Sequence, residues 1–233
     1  MDRATRKELK SDKFALEVQH GVQYVTGHQQ MLIRYGGIAA AVIVVIFGLV
    51  FYFRHQSAVR QQALQNAMRV ESAGIGPAQG DFALTYPTQA DKDKAVDKAW
   101  LDLAAKYPGT NEGAIAEYFL GSHAADKGNL QEAEKRFKLA ADTGSAPYAS
   151  LAKLSLAQVY AAENRVNDAK ALLQSLIDHP TITVSKEAAT IAMAHVIASS
   201  DPQGARKLLE PLRGSERSQV STAALTAISS LSK

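Results

Sequence analysis

The chain has 233 residues, 46% of them apolar and 21% charged, a composition that supports an ordered core and argues against a disordered chain. It contains no cysteine, which excludes disulfides, thiolate metal sites, cysteine nucleophiles and a lipid-bearing cysteine together, while leaving the redox compartment open. The formal net charge is only +3: residues 1–34 hold Arg3, Arg6, Lys7, Lys10, Lys13 and Arg34 against four acidic residues, the rest is nearly balanced, and nothing demands a nucleic-acid-binding face.

Residues 1–33 read as a basic, cytoplasmic tail. Phe14, Val18, Val22 and Val25 recur at helical spacing beyond Lys7, Lys10 and Lys13, the pattern of a short amphipathic helix on an anionic leaflet. Gly21 and Gly27 weaken that helix, and a solvated tail is the alternative.

Residues 34–54 read as a transmembrane helix. YGGIAAAVIVVIFGLVFYF, Tyr35 to Phe53, is 19 residues without a charge. As a helix it spans roughly 28 Å, close to the ~30 Å hydrocarbon core of a bilayer. Arg34 and Arg54 bracket it, and Tyr35, Phe51, Tyr52 and Phe53 place rings near the interfaces. A cleaved signal peptide fits less well, because the apolar run is long and Arg54-His55-Gln56 stands where small residues would permit cleavage. The basic residues next to the span favour one orientation and those of the whole tail the other; the expectation is a cytoplasmic N-terminus. Gly36 with Ala40 and Gly37 with Ala41 form small-xxx-small pairs, but such residues are common in membrane helices generally.

Residues 55–93 read as a helical stalk and a linker. Arg54 to Glu71 has no breaker and carries Val59, Ala63, Ala67 and Val70 on one face. Gly74, Gly76, Pro77, Gly80 and Tyr86-Pro87 then interrupt any helix. Asp91-Lys92-Asp93-Lys94 reads as the soluble start of the next one.

Residues 94–233 read as a helical repeat array. A shift of 36 residues aligns Ala133, Ala169 and Ala205; Phe137, Leu173 and Leu209; Ala140, Leu176 and Leu212; and Ala124, Tyr160 and Val196. The same step backwards puts Leu101 under Phe137 and Ala104 under Ala140, so the array starts as a half-unit near Lys94. Three hairpins follow, about 114–144, 150–179 and 186–213, with a capping helix over 218–231. Antiparallel helices approach to 8–10 Å only where little side-chain volume intervenes, which is the use of the small positions; the bulky ones fill the gaps beside them. Asn129 with Glu132 and Asp201 with Pro202 supply helix starts.

The order Leu120, Gly121, Gly128, Ala133, Phe137, Ala140 resembles the tetratricopeptide repeat. The resemblance implies an all-α fold, a solenoid of stacked hairpins behind a single N-terminal membrane helix. The chain departs from the family in having Glu117 where an aromatic is usual, Met193 at a glycine position, and a period two residues too long. The whole layout resembles the bacterial ancillary SecYEG translocon subunits, the YfgM-type family. That resemblance implies an inner-membrane, single-pass protein whose repeat domain lies in the periplasm and works with chaperones or client proteins. A scaffold for cell-envelope assembly or division is the alternative reading.

Repeats of this kind present the first helix of each unit on a concave face. Here those positions are Ile115, Tyr118 and Ser122, then Leu151, Leu154 and Gln158, then Thr190 and Ala194, a mainly apolar set without the lysine and asparagine that clamp a C-terminal carboxylate. Such a surface suits unfolded segments or an amphipathic helix. Leu151 and Leu154 read equally well as core. His20, His28, His55, His123, His179 and His195 show no metal-ligand spacing; most read as solvated, and His195 as a core or boundary residue. No nucleophile, phosphate-loop or paired-carboxylate motif is present. The expectation is a non-catalytic module with protein partners, no cofactor, no metal and no nucleic acid.

Overall fold

A computed structural model describes residues 29–77, 80 and 84–231. The amphipathic helix expected in the tail lies outside the described residues. The chain divides into two compact units, Met1–Ala58 and Val59–Lys233.

Helix α1 runs unbroken over Gln29–Glu71. In the first unit its residues from Arg34 to His55 are exposed all round, including Ile38, Val44, Phe47 and Phe51. A helix apolar on every side is at home only in an apolar surrounding. It is the single helix among the described residues that is long and apolar enough to cross a membrane.

In the second unit the end of α1 is packed. Ala63, Leu64, Ala67 and Val70 join a cluster with Val96, Trp100 and Leu103 of α2 (Gln89–Lys106) and Ile115, Ala116 and Leu120 of α3 (Asn111–Asp126). Residues 59–71, part of the segment read as a stalk, are therefore a wall of the packed body. Strand β1 (Gly74–Ile75) pairs in parallel with β2 (Thr85–Tyr86) across the Gly/Pro stretch. Gly74 N donates to Leu84 O and Gly76 N to Tyr86 O, each at 2.9 Å.

Three hairpins follow. They are α3 with α4 (Leu130–Thr143), α5 (Ala146–Ala162) with α6 (Val166–Asp178), and α7 (Lys186–Ile197) with α8 (Pro202–Leu209), the last continued as a 3-10 turn over Glu210–Leu212. Helix α9 (Ser218–Ser230) ends the described chain. Their starts are set locally: Thr88, Thr110, Asn129, Ser185 and Asp201 each accept a hydrogen bond from the backbone N–H three residues on. The turns also repeat. Gly128 and Asn164, 36 residues apart, both adopt positive φ, and Asn129 N to Ala124 O and Arg165 N to Tyr160 O close the two turns at 2.8 Å.

The aligned positions form the core. Ala133, Ala169 and Ala205 are fully buried, and Phe137, Leu173 and Leu209 are at most 2% exposed. A Cβ on Gly121 would stand 2.8 Å from the Phe137 ring, so the glycine is what lets α3 and α4 close on that ring. Leu212 and Val196, at the far end, are only half-buried.

The backward extrapolation into the half-unit needs correction. Leu101, placed under Phe137 by the 36-residue step, is 43% exposed, whereas Trp100 is fully buried and Leu103 nearly so. Trp100 meets Phe137 at a step of 37, while Ala104, placed under Ala140 by the 36-residue step, is buried. The bulky position of the half-unit is one residue out of phase because α2 packs against the end of α1 instead of a preceding repeat helix.

Candidate functional site

Helices α3, α5 and α7 lie side by side and carry the residues expected on the concave face. Tyr118, Leu151 and Leu154 are half-buried, each resting on the main core cluster while keeping part of its side chain open. Tyr118 packs edge-on to Tyr148 at 6.0 Å between ring centroids. Ser122 is half-exposed and Gln158 exposed. Thr190 is half-buried, its hydroxyl donating to Lys186 O at 2.8 Å.

Two of the expected residues are not available to a partner. Ile115 is 4% exposed and belongs to the cluster built on Trp100 and the end of α1. Ala194 is 1% exposed, in the same core cluster as Ala227 and Ile228 of α9. The third unit is closed further by the ion pair of Arg217, just before α9, with Glu187 of α7. The open strip thus centres on α3 and α5: Tyr118, Ser122, Leu151, Leu154 and Gln158.

That strip is poor in charge. Lys153 is the one charged residue in α5. On α3, Glu112 is bonded to Arg60 at 3.1 Å and Glu117 to Arg136 at 2.9 Å, so neither acid is left without a counter-ion. The second helices hold the charge instead. Arg165 bonds Glu134, Glu163 and Asp168 and stacks on the Tyr160 ring, 3.9 Å from its centroid. The Glu134 carboxyl is held below the usual carboxylate range, first by the hydrogen bond from Lys138, against the opposing effect of partial burial, and then by Arg165.

Stacked hairpins at a 36-residue interval, closed by small residues at fixed positions, decide the relationship. The chain belongs to the tetratricopeptide repeat-like domain family. The family's model matches residues 32–180, which takes in the apolar part of α1 as well as the first two hairpins. Searches of curated proteins and of solved structures return no match. Tetratricopeptide repeat-like domains are typically interaction modules without catalysis. The family assignment therefore gives this chain a protein-binding domain behind a helix able to cross a membrane.

Histidine positions differ from the sequence reading at one place, and a second histidine is enclosed. His195 is exposed on α7, not core or boundary. His123 is not solvated; its side chain is 18% exposed, between Glu71 and Asp97. No group of three or more His, Asp or Glu residues among the described residues is arranged as metal ligands. Glu71, Asp97, Trp100 and His123 were not readable as a group because up to 52 residues separate them in the chain. The sole tryptophan was the only available signal.

Proposed function

We propose that this protein is a membrane-anchored interaction module of the bacterial inner membrane. Its N-terminus is cytoplasmic and its repeat domain periplasmic, and it serves as an ancillary subunit of the Sec translocon that presents a surface to chaperones or emerging client segments. It carries out no reaction of its own.

The observation that carries this reading is the strip Tyr118, Ser122, Leu151, Leu154 and Gln158, apolar at its centre, partly open and poor in charge, on a domain whose second helices hold ion pairs such as those of Arg136 and Arg165. A strip poor in charge does not select acidic or basic peptides; it favours apolar segments that are exposed before folding. The resemblance in layout to the YfgM-type subunits supplies the translocon, and the six basic residues of the first 34 support the orientation.

A photoreactive residue at Tyr118 or Leu154 tests the assignment in living cells. Capture of translocon components or nascent chains supports it, and capture of peptidoglycan-assembly or outer-membrane factors alone rejects it in favour of an envelope scaffold. A reporter fused after Lys233 that works only in the cytoplasm overturns the orientation.

A further inference from the structure

The loops between hairpins lie along one edge of the second unit. Arg60, where α1 enters that unit, bonds Glu112 at the start of α3 at 3.1 Å. Asn111 accepts from Ser145 N, at the start of α5, at 3.2 Å. Thr183, in the loop before α7, donates to Pro147 O at 2.8 Å, and Ser150 Oγ lies 2.7 Å from Thr181 Oγ1 and 3.0 Å from Thr183 Oγ1. One edge therefore holds the entry of α1 together with these loops. The turns within the hairpins, Lys127-Gly128-Asn129, Glu163-Asn164-Arg165 and Ser199-Ser200-Asp201, form the opposite edge and carry no apolar side chain.

The loop before α7 presents Ile182, which is 99% exposed. Among the described residues, no other large apolar side chain of the second unit exceeds 52%. The exposure does not come from a loose loop. Thr181 N donates to Val184 O at 2.9 Å, Val184 N donates to Thr181 Oγ1 at 3.1 Å, and Val184 is fully buried in the main core cluster. Both threonine hydroxyls turn to Ser150, which leaves the isoleucine between them facing out. Pro147 and Pro180 flank it and line, with Ile182, an open cleft of about 650 Å³.

Chain length selects what meets this edge. Only residues 54–58 lie between the apolar run ending at Phe53 and Val59, the first residue of the second unit. Such a segment reaches at most about 20 Å even when fully extended, a limit that holds at any angle between the two units. We propose that the edge docks on the lipid surface from which α1 emerges, with Ile182 entering the boundary between headgroups and acyl chains. The inference rests on the reading of α1 as a membrane anchor. One isoleucine buries too little apolar area to hold a free domain on a bilayer, but so short a tether keeps the bilayer at a high effective concentration, where a weak contact suffices. Charge neither drives nor opposes docking. Glu112 and Glu187 are paired with Arg60 and Arg217, and Lys106 and Lys186, which border the loops, are matched in number by Asp142 and Asp178.

The chain has no cysteine, so one introduced cysteine carries one fluorophore. Full-length protein is placed, one copy to a disc, in nanodiscs of phosphatidylethanolamine and phosphatidylglycerol that contain spin-labelled lipids. A fluorophore at Ile182→Cys should be quenched by lipids labelled just below the headgroup, and one at Ser199→Cys, on the opposite edge, should not. At so exposed a position as 182, substitution leaves the fold intact. With the fluorophore at His179→Cys, exposed just before the loop, adding Ile182→Glu should lower the ratio of docked to free protein at least about tenfold. Raising the salt concentration should leave that ratio unchanged. Quenching at 182 no greater than at 199 overturns the proposal, as does quenching at 179 that survives Ile182→Glu. Shielding of 182 from water that arises only in vesicles crowded with protein assigns the edge to a second copy and also overturns it. A fluorophore at Phe47→Cys separates this inference from the reading beneath it. If lipids labelled deep in the acyl chains quench 47 while 182 stays unquenched, α1 is an anchor and the docking alone fails; if 47 is unquenched, the anchor fails and the docking with it.

Discussion

Replacing Phe137 by alanine removes the ring around which the first hairpin closes. The ring is 2% exposed, its edge lies 2.8 Å from the position a Cβ on Gly121 would take, and the Tyr118 ring is centred 5.8 Å away. Gly121 has no side chain to move into the space, and Ala133 and Ala140 on the same helix are themselves fully buried. The cavity therefore persists, and the cost falls in the range for a trapped large-to-small change, about 3–5 kcal/mol. For a packed body of this size that corresponds to a fall in Tm of about 6–20 °C. Thermal unfolding of the full-length protein in detergent, followed by far-ultraviolet circular dichroism, measures it. Leu139→Ala is the internal control: two residues further along α4 and 42% exposed, it should stay within about 0.5 kcal/mol of wild type. Equal shifts for the two variants, or a loss below about 0.5 kcal/mol for Phe137→Ala, would refute the repeat register.

Gly121→Ala should cost about 1–3 kcal/mol by forcing a methyl into the Phe137 ring, and chemical unfolding should find that cost largely relieved in a Phe137→Leu background. Gly128→Ala and Asn164→Ala each place alanine at positive φ and should cost about 1–2 kcal/mol by urea midpoint, whereas Asn164→Gly should be nearly neutral. Glu134 contributes stability that is present above the ordinary carboxylate range and lost as pH falls through its depressed folded value. Unfolding midpoints compared between about pH 5 and about pH 3 should accordingly fall less in Glu134→Gln than in wild type.

Much of the fold was legible because its determinants are local. The 36-residue recurrence of Ala133, Ala169 and Ala205 marks where helices approach, and Asn129 and Asp201 mark where they begin; each signal is carried by residues within one hairpin. Candidate surface positions were less accessible. Tyr118, Leu151, Leu154 and Gln158 keep open area, while Ile115 and Ala194 hold equivalent places in the pattern and are buried. The repeat pattern marks which face of a helix points inward; it does not carry what a neighbouring element outside the repeat brings to that face.

By itself, then, the amino-acid order determined the apolar span, the hairpin interval, the helix starts and the small-against-large contacts, all of which act over a few turns of chain. The tertiary structure decided how the array begins and ends. It seated Ala63, Ala67 and Val70 of α1 against Trp100, which shifted the bulky position of the half-unit by one residue, and it brought Ala227 and Ile228 of α9 into the cluster that buries Ala194. It also gathered Glu71 and Asp97 around the His123 ring. At the ends of a solenoid the missing neighbour must be replaced by some other element, and which one fits depends on surfaces that exist only after the helices have packed.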